Sequence, residues 1–583
     1  MPRVELIALE NAQLDAAEIT ANTDLLLHHL EHDHSVDELT PGGISWLRVH
    51  AVPVRRLVTQ VVKKLLALSS WAPFATSPGP IVTSVDGAPV EVRDSEVLGY
   101  HAYTVSWIGI AFLLAGSSDT QELGNAAEPT AASETTDTVA GLDATQTDLV
   151  AVSWSSRHAE TLLPVLAKLC ADGVNSLVVD LATEPDQRFP GVPTSGLTIR
   201  RVPPETFARV GGLHASTVGA QRPGRVLQVG ACRIHLGRLA LLAARLVEQS
   251  TDCTQPSWAA VCQLELLLDG VFAAAKPSVL LCSNDTSPVG VLTVGAADRA
   301  GVDTVYVQHG AWVSGQVTGR AEYCRHIAVM GTRDVAVARQ WARRADVEVH
   351  VVGQPRFDAL AGIDRESHRQ YLRELFTANH GRVPEHMVVW ACQPVSTTRL
   401  CRQFDVLVGG LRQATGEWGL VIAPHPAQSE AALASLLVNA ADCLIALASS
   451  DVGARGCAGG AHAVASASST CGIEALLLNV PVLELALPGS RTLELADQHA
   501  ARRCTSSEEI AGALDEVATD GTSLAIPDVV KDAVCRSTGS AADAVAEIVA
   551  ACITNHANGG HRPQVSATTF APEREDHDDH AGR

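Results

Sequence analysis

The sequence predicts an α/β protein: two successive parallel sheets, each covered by helices on both faces, meet across a cleft behind an additional N-terminal α+β region. Three observations predict it. From residue 148 onwards, short runs rich in Val, Leu and Ile alternate with amphipathic stretches of helical period. The runs are apolar throughout, as strands buried on both faces are. Several of them stop at small or polar residues, as strands do where a ligand sits at their carboxyl ends.

The elements follow in order. With 583 residues the chain is too long for one core. Residues 1–116 mix helical and strand-like patterns and read as an accessory region. Residues 117–147 contain no Lys or Arg and many Ser, Thr and Ala, a composition that predicts a disordered linker. Residues 148–352 read as a first Rossmann-like unit. DLVAVSW is a strand, RHAETLLPVLAKLCADG a helix and VNSLVVDL a strand. A helix-rich stretch over roughly 203–275 follows. Then come strand PSVLLCSND, helix VGVLTVGAADRAGV, and strands TVYVQHG and HIAVMG. Residues 353–555 repeat the pattern as a second unit, with strands HMVVWAC, GLVIAPHP, CLIALAS, AHAVASASST and VPVLEL. The polar tail, 556–583, reads as disordered.

Composition excludes several function classes. Hydrophobic residues make up 46% and charged residues 19%, enough for large cores. The net charge of -22 argues against nucleic acid as a partner, because phosphate contacts need clustered Lys and Arg. The 14 cysteines include no C-x-x-C pair, so a zinc knuckle is not expected, and reduced thiols fit a cytoplasmic location. The start, MPRVELIALENAQ, lacks a basic region followed by an apolar core, so no signal peptide is expected. The apolar run Tyr103 to Gly116 is too short to span a bilayer. HHLEHDHS and the tail's His577 and His580 are expected to bind metal only adventitiously; neither a metal site nor a cofactor is predicted.

Four segments could carry chemistry. In AVASASSTCGIEALLLNVPVLEL a strand runs into Ser468, Ser469 and Thr470, and a helix opens through Gly472 and Glu474. Hydroxyls and free N–H groups at a helix start suit an anion, and Gly472 would let a phosphate approach the backbone. Glu474 could accept from ribose hydroxyls. The alternative is that Ser and Thr only cap the helix. In GLVIAPHPAQSE, Pro424 and Pro426 restrict the backbone around His425, which could face a phosphate or leaving group, or be a plain loop histidine. PSVLLCSND and TVYVQHG would put Asp285 and His309 at the same sheet edge, a workable general-base pair. The alternative has Asp285 capping the next helix and His309 packing structurally. Gln308 and Gly310 flank that histidine. In VVGQPRFDAL, Gly353 and Pro355 make a turn and Arg356 could face an anion; the alternative is an interdomain connector in which Asp358 starts a helix.

The order of these motifs resembles GT-B glycosyltransferases of bacterial surface polysaccharides, including the polysialyltransferase-like group and the teichoic-acid glycerophosphotransferases. Such families carry a QHG element in the first domain, and HP and S-S-T-x-x-x-E-A…P-V elements in the second. Here these are Gln308-His309-Gly310, His425-Pro426, and Ser468-Ser469-Thr470 with Glu474-Ala475 and Pro481-Val482. The resemblance covers about 148–555. It implies that His425 and the serine cluster hold the donor's phosphates, with Glu474 near its ribose. UDP-N-acetylglucosamine 2-epimerases look similar and share Asp285-Thr286. Their next strand, however, ends in an acidic residue where this chain has Gln308-His309, and their signature after the last apolar strand is replaced by ALPGSRTLELAD.

The resemblance therefore implies a metal-independent glycosyltransferase. It would move a sugar from a nucleotide-sugar donor to a surface glycan or lipid-linked acceptor, with Asp285 or His309 as base. An epimerase or nucleotide-sugar hydrolase is the second reading; a non-catalytic glycan- or partner-binding scaffold is the third. One side feature concerns location. VRRLVTQVVKKLLALSSW, 54–71, segregates Arg55, Arg56, Lys63 and Lys64 from Leu57, Val58, Val61 and Leu65. It could dock peripherally on the inner face of a membrane, or pack on its own domain.

Overall fold

A computed structural model describes residues 14–558 apart from 33–38, 72–89, 95–100, 115–145, 204–224, 249–257, 314–322 and short breaks at 192–193, 396, 426–427, 429–432, 489, 520–525 and 538. The linker predicted at 117–147 lies almost wholly outside the described residues, as do Pro426 and all of the tail past Asn558.

The first sheet has seven parallel strands: β1 Leu149–Ser153, β2 Ser176–Asp180, β3 Leu197–Arg201, β4 Val279–Cys282, β5 Asp303–Val307, β6 His326–Val329 and β7 Glu348–Val351. Their spatial order is β7-β6-β5-β4-β1-β2-β3. The second has six: β8 His386–Ala391, β9 Trp418–Ala423, β10 Leu444–Leu447, β11 Ala463–Ser466, β12 Val482–Leu485 and β13 Arg502–Cys504. Their order is β10-β9-β8-β11-β12-β13, all parallel. Both sheets wind outward in two directions from their first strand, the Rossmann order. Their switch points lie between β1 and β4 and between β8 and β11.

Strand periodicity explains the layering. Leu149 and Ala151 point to one face of the first sheet, where the helix Ser156–Ala171 packs. Val150 and Val152 point to the other, which is covered by the N-terminal helices. In β8, Met387 and Val389 face one core while Val388 and Trp390 face another. Such two-sided burial makes the strands apolar throughout.

Two expectations need correction. The stretch 203–275 is not only helical: Val226–Val229 and Cys232–His235 form an antiparallel hairpin ahead of the helices Leu236–Glu248 and Trp258–Ala275. The helix Ala541–Ala557, placed by sequence in the second unit, packs through Val545 and Val549 on the first sheet. Asp358 caps it, accepting from the N–H groups of Ala541 and Ala542 at 3.0 and 2.8 Å. The chain thus returns to the first unit at its end, and Asp358 starts this distant helix rather than its own.

Residues 54–71 take the second of their two readings, packing on their own domain. The helix Ala51–Ser70 buries Leu57, Val58, Val61 and Leu65 completely in the protein core. The apolar face that lipid would need is therefore occupied by the helix's own domain. On its basic face Arg55 pairs with Asp24 and Lys64 lies over the Trp107 ring at 4.8 Å, while Arg56 and Lys63 are exposed. Among the described residues no helix is long and apolar enough to cross a membrane.

Candidate functional site

The carboxyl ends of both sheets carry polar residues, and the first unit's site is built from three adjacent strands, β1, β4 and β5. After β1, Ser155 caps the helix Ser156–Ala171 by accepting from the His158 N–H at 3.4 Å. His158 is buried, edge-on to Trp154 at 4.4 Å and to His309 at 5.2 Å. Burial, then the neighbouring His309 and Arg157, push its pKa well below the usual imidazole range, so it is neutral. Its Nδ1 is enclosed and makes no hydrogen bond with the described residues.

His309 follows β5. Its Nδ1 meets the Ser283 carbonyl at the end of β4. A carbonyl only accepts, so Nδ1 carries the proton and the lone pair of the neutral ring is on Nε2. Asp285 does not supply this contact. It is wholly buried, and its Oδ2 accepts from the N–H groups of Tyr323 and Cys324 at 2.7 and 2.9 Å. Among the described residues Oδ1 has no hydrogen-bond partner, and no hydrogen bond joins Asp285 to His309. The predicted acid–base pair is therefore replaced by a histidine oriented by a backbone carbonyl, while Asp285 anchors the entry to β6. Nor does Asp285 cap the next helix: Ser287 does, accepting from Gly290 N–H at 3.3 Å. A Cβ on Gly290 would lie 2.5 Å from the Asn284 carbonyl, so this glycine lets the helix close onto the strand end.

Gln308, predicted to line the cleft, is instead fully buried. Its Nε2 donates to the Gly310 carbonyl at 3.1 Å, and its Oε1 accepts from Met330 N–H at 2.7 Å. Its own carbonyl accepts from Gln354 Nε2 at 2.6 Å. Gln308 thus fixes the turn that presents His309. Gly310 has open space where a Cβ would stand. Gly353 has φ +95° and a Cβ there would meet the Arg536 carbonyl at 2.5 Å, so it is a tight connector rather than a ligand contact.

In the second unit, His425 follows β9. Its backbone is clasped by Gln428: His425 N–H donates to Gln428 Oε1 at 3.0 Å, and Gln428 Nε2 donates to the Gln393 carbonyl at 2.9 Å. Burial, then the charge of Arg157, lower the His425 pKa to about 4. The ring is neutral near pH 7 and brings no positive charge to a phosphate. The positive charge at this point belongs to Arg157, whose Nη2 donates to His425 Nε2 at 3.0 Å. Sequence reasoning missed Arg157 and His158, although they follow the same kind of strand end as His309 does.

The Ser468–Thr470 loop differs from expectation. Ser466 Oγ accepts from Ser469 N–H at 3.2 Å, and Ser469 Oγ accepts from Cys471 N–H at 3.3 Å. Gly472 and Ile473 N–H groups donate to the Ser469 and Thr470 carbonyls, each at 2.9 Å. The amides predicted to receive a phosphate are thus used inside the loop, since the helix Cys471–Leu477 is short and capped by its own turn. The Ser468 and Thr470 hydroxyls make no hydrogen bond with the described residues and are half-buried. A Cβ on Gly472 would touch only Leu495 and Ser466, at ordinary 3.5 Å contacts, so packing does not demand glycine there.

Glu474, predicted near a ribose, is buried and faces arginines. Arg455 Nε and Arg356 Nη2 lie 3.2 and 3.7 Å from its two oxygens. Both arginines also reach Glu160 of the first unit, at 3.2 and 3.5 Å. Two cations and two carboxylates thus tie the units together beside the cleft, and Arg356 is consumed there. Burial lowers its pKa, with Glu474 opposing.

No protein-family model matches the chain, and no curated protein matches it. Similar solved structures include UDP-GlcNAc 2-epimerase from Neisseria meningitidis bound to UDP-GlcNAc, at 11% identity and TM-score 0.43, covering 69% of this chain and 99% of that one. MurG from Acinetobacter baumannii is similar at 13% identity and TM-score 0.37, covering 69% and 99%. The glycotransferase of kitacinnamycin is similar at 12% identity and TM-score 0.39, covering 70% and 99%. Nothing about activity carries over at such identities. On its own strand order, with two Rossmann-like units whose carboxyl ends meet, the chain has the GT-B architecture.

Proposed function

We propose that the protein is a glycosyltransferase that moves a sugar from a nucleotide-sugar donor to a hydroxyl of a surface polysaccharide or lipid-linked glycan. The observation that carries this reading is the convergence of polar residues from the ends of both sheets: Arg157 of the first unit bonds His425 of the second, one residue away from His158, which packs against His309. In this reading His309 Nε2 takes the proton of the acceptor hydroxyl as its oxygen attacks the anomeric carbon. The bond from that carbon to the nucleotide's phosphate oxygen breaks, and this oxygen carries the electron pair away. Arg157, oriented by His425, and the Ser468 and Thr470 hydroxyls would meet that developing charge. Fixed donors aimed at developing charge are a large part of such catalysis. Ser469 and Gly472 shape the loop, and no metal is assigned to the transfer step.

The test has two stages. UDP-, CMP-, CDP- and GDP-linked sugars are screened for thermal stabilisation of the full chain, since a ligand of the native state raises its melting temperature. The stabilising donor is then incubated with and without glycan acceptors, using the parent and His309→Ala. The expected result is acceptor-dependent release of the nucleotide, which His309→Ala lowers by about 10²–10⁴ in kcat with donor binding retained. No stabilisation by any donor would overturn the reading. Conversion of the donor without an acceptor would point to an epimerase or hydrolase instead.

A further inference from the structure

We infer that His326, Glu348 and His350 form a binding site for a divalent transition cation of the zinc type, at the end of the first sheet away from the cleft. β6 and β7 are parallel neighbours, and His326 stands directly opposite Glu348 in their register. His350 is two residues further along β7, so all three side chains leave the same face. His326 is the first residue of β6, whereas Met330, which contacts Gln308, follows its last. The two ends are about 13 Å apart at strand rise.

The spacing suits a metal. His326 Nδ1 is 3.2 Å from His350 Nε2 and 3.8 Å from Glu348 Oε2. All three ligand atoms lie within 4.8 Å of one another. A tetrahedral ion with bonds of about 2.0–2.1 Å needs ligand atoms roughly 3.3 Å apart. Small side-chain rotations therefore close the set around one ion. His326 is only 7% exposed, so packing holds its ring. Arg325 Nη2 donates to Glu348 Oε1 at 3.2 Å, and its Nη1 lies 3.2 Å from Asp303, so one carboxylate oxygen is oriented while the other faces the histidines. Outer hydrogen bonds of this kind commonly orient metal ligands. Two imidazoles and one carboxylate favour zinc or cobalt over magnesium or calcium, and leave a fourth position for water. β7 is an edge strand with β6 as its one neighbour in the sheet. A cation held by both strands would pin that edge.

The site is tested by titrating the full chain with Co²⁺ and Zn²⁺. His28 and His32, whose rings are 4.3 Å apart on the helix Ala16–His32, and the tail's His577 and His580 would bind such ions adventitiously, so all four are replaced by Ala in the background. The expected result is one Co²⁺ per chain with visible bands of four-coordinate nitrogen and oxygen ligation. Zn²⁺ displaces it and raises the melting temperature. His350→Ala and Glu348→Gln are expected to weaken binding more than about tenfold and to remove the thermal shift. His350 is half-buried, so its variant should fold, which its metal-free melting temperature checks. Binding unchanged in both variants, thiolate charge-transfer bands, or no stoichiometric uptake by the parent would each overturn the site.

Discussion

Arg157 Nη2 donates to His425 Nε2 across 3.0 Å, joining a helix start of the first unit to a strand end of the second. For this bond His425 must be neutral with its proton on Nδ1, and its lowered pKa of about 4 agrees. The imidazole therefore works as an acceptor that aims the guanidinium, and the positive charge at this point of the cleft is the arginine's.

The roles of these two residues can be separated by substitution. Arg157→Ala is expected to weaken nucleotide-sugar binding by about 10- to 100-fold, the worth of a hydrogen bond to a charged group. Arg157→Lys is expected to fall between, because an ammonium is a point charge without the planar fork. His425→Ala removes only the orienting acceptor and should cost less than Arg157→Ala. Calorimetric titration of the three variants measures the order, and unchanged affinity in Arg157→Ala would remove the assignment.

The four-residue ion network makes a prediction about stability. Glu474 is 2% exposed in its side chain and faces Arg356, which is 11% exposed. Removing one partner of a buried pair leaves an uncompensated charge and typically costs about 3–5 kcal/mol. Glu474→Ala is expected in that range by urea unfolding. Glu160→Ala, at a carboxylate 44% exposed, is expected to cost below about 1 kcal/mol. Similar midpoints for both variants would show that burial does not govern this network.

How much of this was legible in the sequence follows from burial. Central strands such as β1, β4 and β8 are apolar on both faces and stand out as Val- and Leu-rich runs. Three of the four edge strands, β3, β7 and β13, read LTIRR, EVHV and RRC; water on their open sides permits charges, which blurs their pattern, whereas the fourth, β10, stays apolar as LIAL and was legible. At the site, His309 and His425 were visible because each interrupts an apolar run. What they bond was not. The Ser283 carbonyl that replaces Asp285 is a backbone group, present at every residue and carried by no motif. Glu474 was misassigned because its countercharges, Arg455 and Arg356, come from a short helix and from the connector after β7, and no local spacing links them.

Stability should fall with acid through a known residue. His50 is fully buried between Trp46 and Trp258, with neither ring nitrogen hydrogen-bonded among the described residues, and burial lowers its pKa from 6.5 to about 3. Below pH 6.5 the unfolded chain takes up a proton that the native state refuses. Stability contributed by the neutral ring is therefore full above 6.5 and lost as pH falls towards 3, by at most about 1.4 kcal/mol per pH unit. His50→Leu keeps the volume and removes the titration. Its melting temperature should decline less than the parent's between pH 7 and pH 5, and parallel declines would contradict the burial argument.

Gln308 offers a test of how the turn holds its histidine. The side chain spans two backbone groups, donating to Gly310 and accepting from Met330, and nothing of it is exposed. Gln308→Ala leaves a buried carbonyl and a buried N–H without partners, at about 1–3 kcal/mol each. Gln308→Glu isolates one of them: a carboxylate still accepts from Met330 but cannot donate to Gly310. If the Gly310 contact sets the position of His309, Gln308→Glu should lower kcat while leaving donor affinity within about twofold, because the donor contacts belong to Arg157 and the second unit. If Gln308 merely fills space, Gln308→Glu should lower the melting temperature with kcat unchanged in the folded fraction. The split between turnover and donor binding decides between the two.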